Sequence, residues 1–185
     1  MTIKFPSPIV TVVATAIILT NCAVSKDTGM TEKNKTKKMY REINAWIDID
    51  ATPEEAWEVL VDFKSWVSWN SFIPFVEGNL KVGERMRITV VPPDSKPMNF
   101  KPEVYEVIPY EKILWGGSFL KIVYRGDHAF LLEPIQGGKT RFRQIERFRG
   151  PIVLFMGNMI KKTEIGYHQM NLAFKEEVEK YKSDK

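Results

Sequence analysis

Cysteine and histidine are nearly missing. The 185 residues hold one cysteine, Cys22, and two histidines, His128 and His168. A single thiol excludes an intramolecular disulfide framework, and a Cys/His zinc site lacks ligands, so no bound metal is expected. No glycine-rich loop has phosphate-binding spacing, and no serine sits in a nucleophile elbow. Nucleotide chemistry and serine-type acyl transfer therefore have no support, and no cofactor is expected. Cys22 lies far from the body of the chain, which removes a cysteine nucleophile there. A strong charge of one sign is also missing, with 27 basic against 23 acidic side chains. Seven of the basic and three of the acidic residues fall within positions 1–42, so the remainder is formally neutral. A nucleic-acid binder usually carries its positive excess on the folded surface, so no nucleic-acid partner is expected.

What is present at the front is an address. Lys4 precedes an apolar run, Ile9 to Thr20, which ends at Asn21-Cys22-Ala23. A short basic start and a brief apolar core form the layout of a secretory signal peptide. The run reaches the roughly 20 residues of a membrane-spanning helix only by including Pro6, Pro8 and Asn21. Leu19-Thr20-Asn21-Cys22 resembles a bacterial lipobox, whose cysteine becomes lipidated. Asn21 departs from that pattern, which prefers Gly, Ala or Ser before the cysteine. The expected organisation is a signal peptide over 1–21 and a lipid-anchored polar tether over 22–42. A ligand-binding domain over 43–181 and a short tail over 182–185 follow. The body would then be exported and held at the membrane of a bacterial cell envelope; the alternative is an uncleaved N-terminal anchor. The tether's lysines suit an anionic lipid surface, or simply keep a linker solvated.

The body reads as α+β. Residues 43–49 alternate like a strand. Thr52-Pro53-Glu54-Glu55 is a helix start, with Thr52 as N-cap, Pro53 at the first position and Glu55 completing a capping box. A second short helix or turn spaces Phe63, Trp66 and Trp69 by three. Strands are expected at about 72–79, 84–91, 98–107, 112–119, 122–134 and 140–148. Turns are expected at Val82-Gly83, Pro92-Pro93-Asp94, Pro109-Tyr110, Gly126-Asp127 and Gly137-Gly138, with Asp127 in a bulge. One long helix should run from Gly150-Pro151 to about Tyr181. Its apolar stripe is Met156, Met159/Ile160, Thr163, Tyr167, Met170, Phe174, Val178 and Tyr181. The order predicts a curved antiparallel sheet of about seven strands around a long C-terminal helix, with two short helices after the first strand.

The most informative stretch surrounds Gly137-Gly138. Phe142, Gln144, Glu146 and Phe148 share one strand face, while Arg141, Arg143, Arg147 and Arg149 take the other. Four arginines belong in water, so the first face looks inward. On the preceding strand His128, Phe130 and Leu132 share a face. Burying both apolar faces together sets His128 opposite Glu146, Phe130 opposite Gln144 and Leu132 opposite Phe142. Glu146 and His128 thus become inward ionisable groups in apolar surroundings. They can form a satisfied cross-strand contact, orient a ligand, or move a proton.

Taken in order, Ala51-Thr-Pro-Glu-Glu-Ala-Trp-Glu-Val-Leu60, Asp62-Phe63 and Trp66-x-x-Trp69-Asn70 resemble the opening of the START/pollen-allergen helix-grip superfamily (SRPBCC). Trp115, Gly126-x-His128-x-Phe130-x-Leu132, Gly138-x-Thr140-x-Phe142 and Glu146-x-Phe148-x-Gly150 resemble its polyketide cyclase/dehydrase-like branch. The similarity covers about residues 43–181. It implies a helix-grip fold with a deep apolar cavity between sheet and long helix, holding a hydrophobic small molecule or lipid. His128, Phe130, Leu132, Phe142, Gln144 and Glu146 are then candidate ligand contacts, joined by Trp69, Trp115, Met159, Thr163, Tyr167 and Met170. For the tryptophans and the helix stripe, ordinary core packing is the alternative. The function expected is a membrane-tethered carrier or sensor. The alternatives are a cyclase/dehydratase-like enzyme using Glu146 and His128 as acid and base, and a protein-interaction module whose partner is unknown.

Overall fold

The computed structural model describes residues 39–184. The signal segment, Cys22 and most of the tether lie outside the described residues. Within them runs β1 (Tyr40–Ile49), then α1 (Pro53–Val61) and the single turn α2 (Trp66–Trp69). Seven further strands follow: β2 (Phe75–Glu77), β3 (Arg87–Val90), β4 (Met98–Phe100), β5 (Glu103–Ile108), β6 (Lys112–Phe119), β7 (Tyr124–Ile135) and β8 (Lys139–Arg149). A 3-10 segment, Pro151–Phe155, leads into the long helix α3 (Gly157–Ser183). β1 starts at Tyr40, so the last residues assigned to the tether already belong to the sheet.

The strands form an antiparallel five-stranded sheet in the order β1-β8-β7-β6-β5 and a three-stranded sheet in the order β2-β3-β4. An isolated bridge between Arg85 and Glu103 joins the two. The α+β helix-grip architecture is as expected, with eight strands. The division has local causes. Pro102 offers no N–H to a ladder, so the strand expected over 98–107 breaks into β4 and β5. The strand expected from 72 starts only at Phe75, because the Asn70 side-chain oxygen accepts from the N–H groups of Phe72 and Ile73. That turn fixes Phe72 and Ile73 as inward, buried side chains.

The helix start at Thr52 forms as read. The Thr52 hydroxyl accepts from the Glu55 N–H at 3.3 Å, and the Thr52 N–H donates to the Glu55 carboxylate at 2.9 Å. The β7–β8 hairpin carries the expected register, pairing His128 with Glu146, Phe130 with Gln144 and Leu132 with Phe142. Outside, the arginines find partners. Arg141 grips Asp48 at 2.7 and 2.9 Å and lies over the Trp46 ring, while Arg143 grips Glu133 and Arg147 reaches Glu42.

Further expectations change. No turn interrupts the chain at Gly126-Asp127; β7 passes straight through, and the reversal from β6 lies at 120–123. Asp127 holds the strand there, its carboxylate meeting Arg125 and Arg149 on the outer face. The irregularity falls instead in β5, where the register shifts between Val104 and Glu106. Tyr105 sits at that shift under the Arg125 guanidinium. The helix expected from Gly150 is also broken. Gly150 takes φ 114° while its N–H donates to the Met39 carbonyl, and a tight 3-10 turn precedes α3.

α3 packs its stripe of Ile160, Tyr167, Met170, Phe174 and Val178 onto the concave sheet face. Gly166 permits the approach, since a Cβ there would stand 2.2 Å from the Phe72 ring. Gly157 has nothing within 4 Å of such a Cβ. Gly166→Ala is therefore expected to destabilise the fold by about 1–3 kcal/mol through overpacking, despite alanine's better helix propensity. Gly157→Ala should leave the urea midpoint within experimental error or raise it. A neutral Gly166→Ala would show that Phe72 moves aside freely.

Candidate functional site

The concave face is filled at one end and hollow at the other. At the filled end aromatic rings interlock: Phe142 and Phe174 centroids are 4.4 Å apart, and Phe130 meets Trp115 edge-on at 5.0 Å. Trp66 packs on Phe130 and Trp69 on Phe174, while the Trp66 indole donates to the Leu60 carbonyl. The tryptophans therefore staple the short helices to the core. At the other end lies a cavity of about 580 Å³.

Register explains the hollow. Cross-strand pairing sets Trp115, His128 and Glu146 in one inner row across β6, β7 and β8. The next inner row is Gly117, Gly126 and Phe148. Two of its three members have no side chain, so the sheet recedes there. A Cβ on Gly126 would stand 2.6 Å from the Tyr124 hydroxyl and 3.1 Å from a Glu146 oxygen. The facing wall comes from Phe72 and Ile73, from Ile88 and Val90 of β3, from Met98 and Phe100, and from Met156, Met159, Thr163 and Tyr167.

Of the twelve candidate ligand contacts, His128, Glu146, Trp115, Met159, Thr163 and Tyr167 line this cavity. Phe130, Leu132, Phe142, Gln144 and Met170 are fully packed in the core behind it, and Trp69 packs partly buried against that core. Sequence reasoning missed Phe72, Tyr124, the β3–β4 side chains and the glycine row. Glycines inside strands mark close approach or open space, and that signal at Gly116-Gly117 and Gly126 was available.

The cavity is mainly apolar; Lys101, Ser118 and Thr163 also line it, and its carboxyl and phenol groups gather at one corner. The Tyr167 hydroxyl donates to Glu146 Oε2 at 3.0 Å. Behind it, His128 Nε2 donates to Gln144 Oε1 at 3.1 Å, and Gln144 Nε2 donates to Asn171 Oδ1 at 2.7 Å. With the Gln144 oxygen as acceptor, His128 Nε2 carries the proton and Nδ1 faces Glu146. Burial pushes the Glu146 carboxyl up to about 8; the nearby Asp127 charge adds to this, and the Tyr167 bond partly offsets it. Burial pushes the His128 imidazole down to about 3, against the Gln144 bond. Burial, reinforced by Glu146, also raises the hydroxyls of Tyr167 and Tyr124. All four groups are thus uncharged near neutral pH. The 3.8 Å between His128 Nδ1 and Glu146 Oε2 is accordingly not an ion pair, and it exceeds hydrogen-bond reach. A neutral carboxyl is a donor as well as an acceptor, so this corner can both give and accept hydrogen bonds. Among the described residues no three His, Cys, Asp or Glu side chains cluster as a metal site needs.

These shifts fix a pH dependence. Glu146 keeps its proton in the fold but loses it on unfolding between pH 4.5 and about 8, so stability falls as pH rises through that window. His128 stays unprotonated in the fold but gains a proton on unfolding between about pH 3 and 6.5, so stability falls as pH drops through that window. The two slopes oppose between pH 4.5 and 6.5, where their sum is flat. Urea titrations should show an alkaline loss on the order of 2 kcal/mol, present in the wild type and absent in Glu146→Gln. An alkaline limb of equal size in both proteins would assign it to other groups.

The profile of the family described as polyketide cyclase/dehydrase and lipid transport matches residues 40–179. No curated protein matches the chain by sequence. Among solved structures, the Zhui aromatase/cyclase from a Streptomyces species superposes with TM-score 0.61 at 13% identity, over 76% of this chain and 94% of that one. A Thermus thermophilus protein gives 0.59 at 18%, over 74% and 96%. The di-domain ARO/CYC StfQ of the steffimycin biosynthetic pathway gives 0.56 at 11%, over 76% and 52%. At these identities the structures share the fold. The profile match, spanning the sheet and α3 together, carries more: the chain belongs to the polyketide cyclase/dehydrase and lipid transport family.

Proposed function

We propose that this protein carries or senses an uncharged hydrophobic small molecule or lipid, with a carbonyl or hydroxyl end held at the Glu146–Tyr167–Tyr124 corner. The carrying observation is a mainly apolar cavity of about 580 Å³ in which the Glu146 carboxyl and the Tyr167 hydroxyl are joined at one corner. That volume suits a small-molecule ligand. Affinity comes chiefly from apolar burial, at about 25 cal/mol per Å² before the costs of association. Orientation comes from the neutral carboxyl. An anionic ligand group would meet Glu146 unfavourably, because ionising beside it in a dry site is costly.

The N-terminal sequence supports a tether in this reading, with Cys22 lipidated and the domain held outside the cytoplasmic membrane of a bacterial envelope. An uncleaved anchor would serve the same end. Among the described residues no helix is long and apolar enough to cross a membrane.

A second reading has one observation in its favour. A carboxyl raised to about 8 is poised for proton transfer near neutral pH, as a cyclase/dehydratase-like enzyme would need. His128, held neutral by burial and 3.8 Å away, is poorly placed as its partner base.

Mass spectrometry of the full chain extracted from bacterial membranes tests the reading. The expected result is a diacylglyceryl adduct on a chain beginning at Cys22, plus a discrete small-molecule mass retained under native conditions. Glu146→Gln should weaken retention about tenfold or less, since the amide keeps a donor and acceptor. Filling the hollow with Gly126→Leu should abolish retention. A ligand kept by Gly126→Leu would contradict the cavity assignment. A bound molecule that the wild type converts and Glu146→Gln does not would favour the enzyme.

A further inference from the structure

Large apolar side chains are exposed around the cavity mouth. Phe119 is 61% exposed, Leu120 68%, Ile122 85%, Leu154 52% and Phe155 87%. They come from the end of β6, the turn after it and the 3-10 segment, which meet where the Ile152 N–H approaches the Val123 carbonyl. Phe100, Ile152 and Met159 continue the surface into the cavity, and all three line it. Leu120 and Lys121 take positive φ, 45° and 22°, a backbone cost borne at the tip that holds these side chains outward.

Charge points the same way. The three rim segments, 98–102, 117–123 and 150–161, contain Lys101, Lys121 and Lys161 and no acidic residue. All three lysines are exposed. The described chain also enters here: the Met39 carbonyl accepts from the Gly150 N–H, at the base of the 3-10 segment. The preceding 38 residues, with the apolar run of Ile9 to Thr20, are therefore joined at the rim and not at the far end of α3.

We infer that the cavity mouth is a membrane-docking face, on which Phe119, Leu120, Ile122, Leu154 and Phe155 enter the interface of an anionic bilayer while Lys101, Lys121 and Lys161 meet its headgroups. Apolar tips flanked by lysine are what such an interface selects. A cavity that opens onto this face can exchange an apolar ligand with lipid without passing it through water. The contact does not depend on what the cavity holds, so it can fail while the carrier reading stands, and the reverse.

The test places a nitrobenzoxadiazole dye on the full chain at Phe155→Cys, in a Cys22→Ser background that leaves one thiol. The control site is Ser183→Cys, at the opposite end of α3, about 40 Å away. Vesicles are phosphatidylcholine with phosphatidylglycerol, and phosphatidylcholine alone. With the anionic vesicles, emission at 155 should rise several-fold, shift to the blue and be quenched by nitroxide lipids, while the dye at 183 stays water-like. Replacing Lys101, Lys121 and Lys161 with glutamate should weaken insertion about tenfold or more. A water-like dye at 155 overturns the inference, whether the protein floats with the vesicles through its N-terminal residues or does not float. A blue shift at 155 in buffer alone, growing with protein concentration, overturns it in favour of a second copy covering this face.

Discussion

The register between β7 and β8 is the constraint on which the rest of the molecule depends. It follows from one strand with four arginines on one face and Phe142, Gln144, Glu146 and Phe148 on the other. A slip by a single residue would bury the guanidinium groups and expose the aromatic ones, so one pairing is strongly favoured. That pairing sets His128 beside Glu146, aligns Gly126 with Phe148, and leaves Asp48, Glu42, Glu133 and Asp127 to meet the arginines outside. Core, cavity and outer ion pairs are three consequences of one alternation.

The cavity arises by subtraction. The helix-grip architecture offers one continuous space between sheet and α3, and aromatic rings fill the half near Trp66, Phe130 and Phe174. Toward the start of α3 the inner sheet row contains Gly117 and Gly126, and the space stays open. At the boundary stands the polar chain from Asn171 through Gln144 to His128, with Glu146 and Tyr167 in front of it. Its rear members orient the imidazole. Its front members face the hollow uncharged, because burial outweighs every opposing contact on Glu146 and His128.

Much of this was legible in the sequence where the signal was local or periodic. The capping box at Thr52, the arginine alternation on β8 and the helical stripe on α3 each needed only neighbouring residues. The ordered motifs from Ala51 to Gly150 carried the fold. Contacts set at long range were not legible. Nothing near Phe130 or Phe142 in the chain says that Trp66 and Phe174 will pack them solid, and nothing near Phe72 or Met98 places them on a cavity wall. Gly126 read as a turn because glycine beside aspartate is usual in turns. Its actual role, space beside Glu146, appears only once Gly117 is known to lie opposite. The 3-10 break before α3 was hidden for a similar reason, since Gly150 takes its unusual backbone angle where its N–H meets the start of β1.

The corner can hold an uncharged ligand because Glu146 is a neutral carboxylic acid at physiological pH. Infrared difference spectroscopy of the wild type against Glu146→Gln, across a pH series, measures this directly. A protonated-carboxyl C=O band that is missing from the variant, persists at neutral pH and disappears near pH 8 is the predicted result. A Glu146 band that vanishes near the ordinary carboxylate value of 4.5 would contradict it, because the group would then be ionised and hydrated where an apolar ligand is meant to sit.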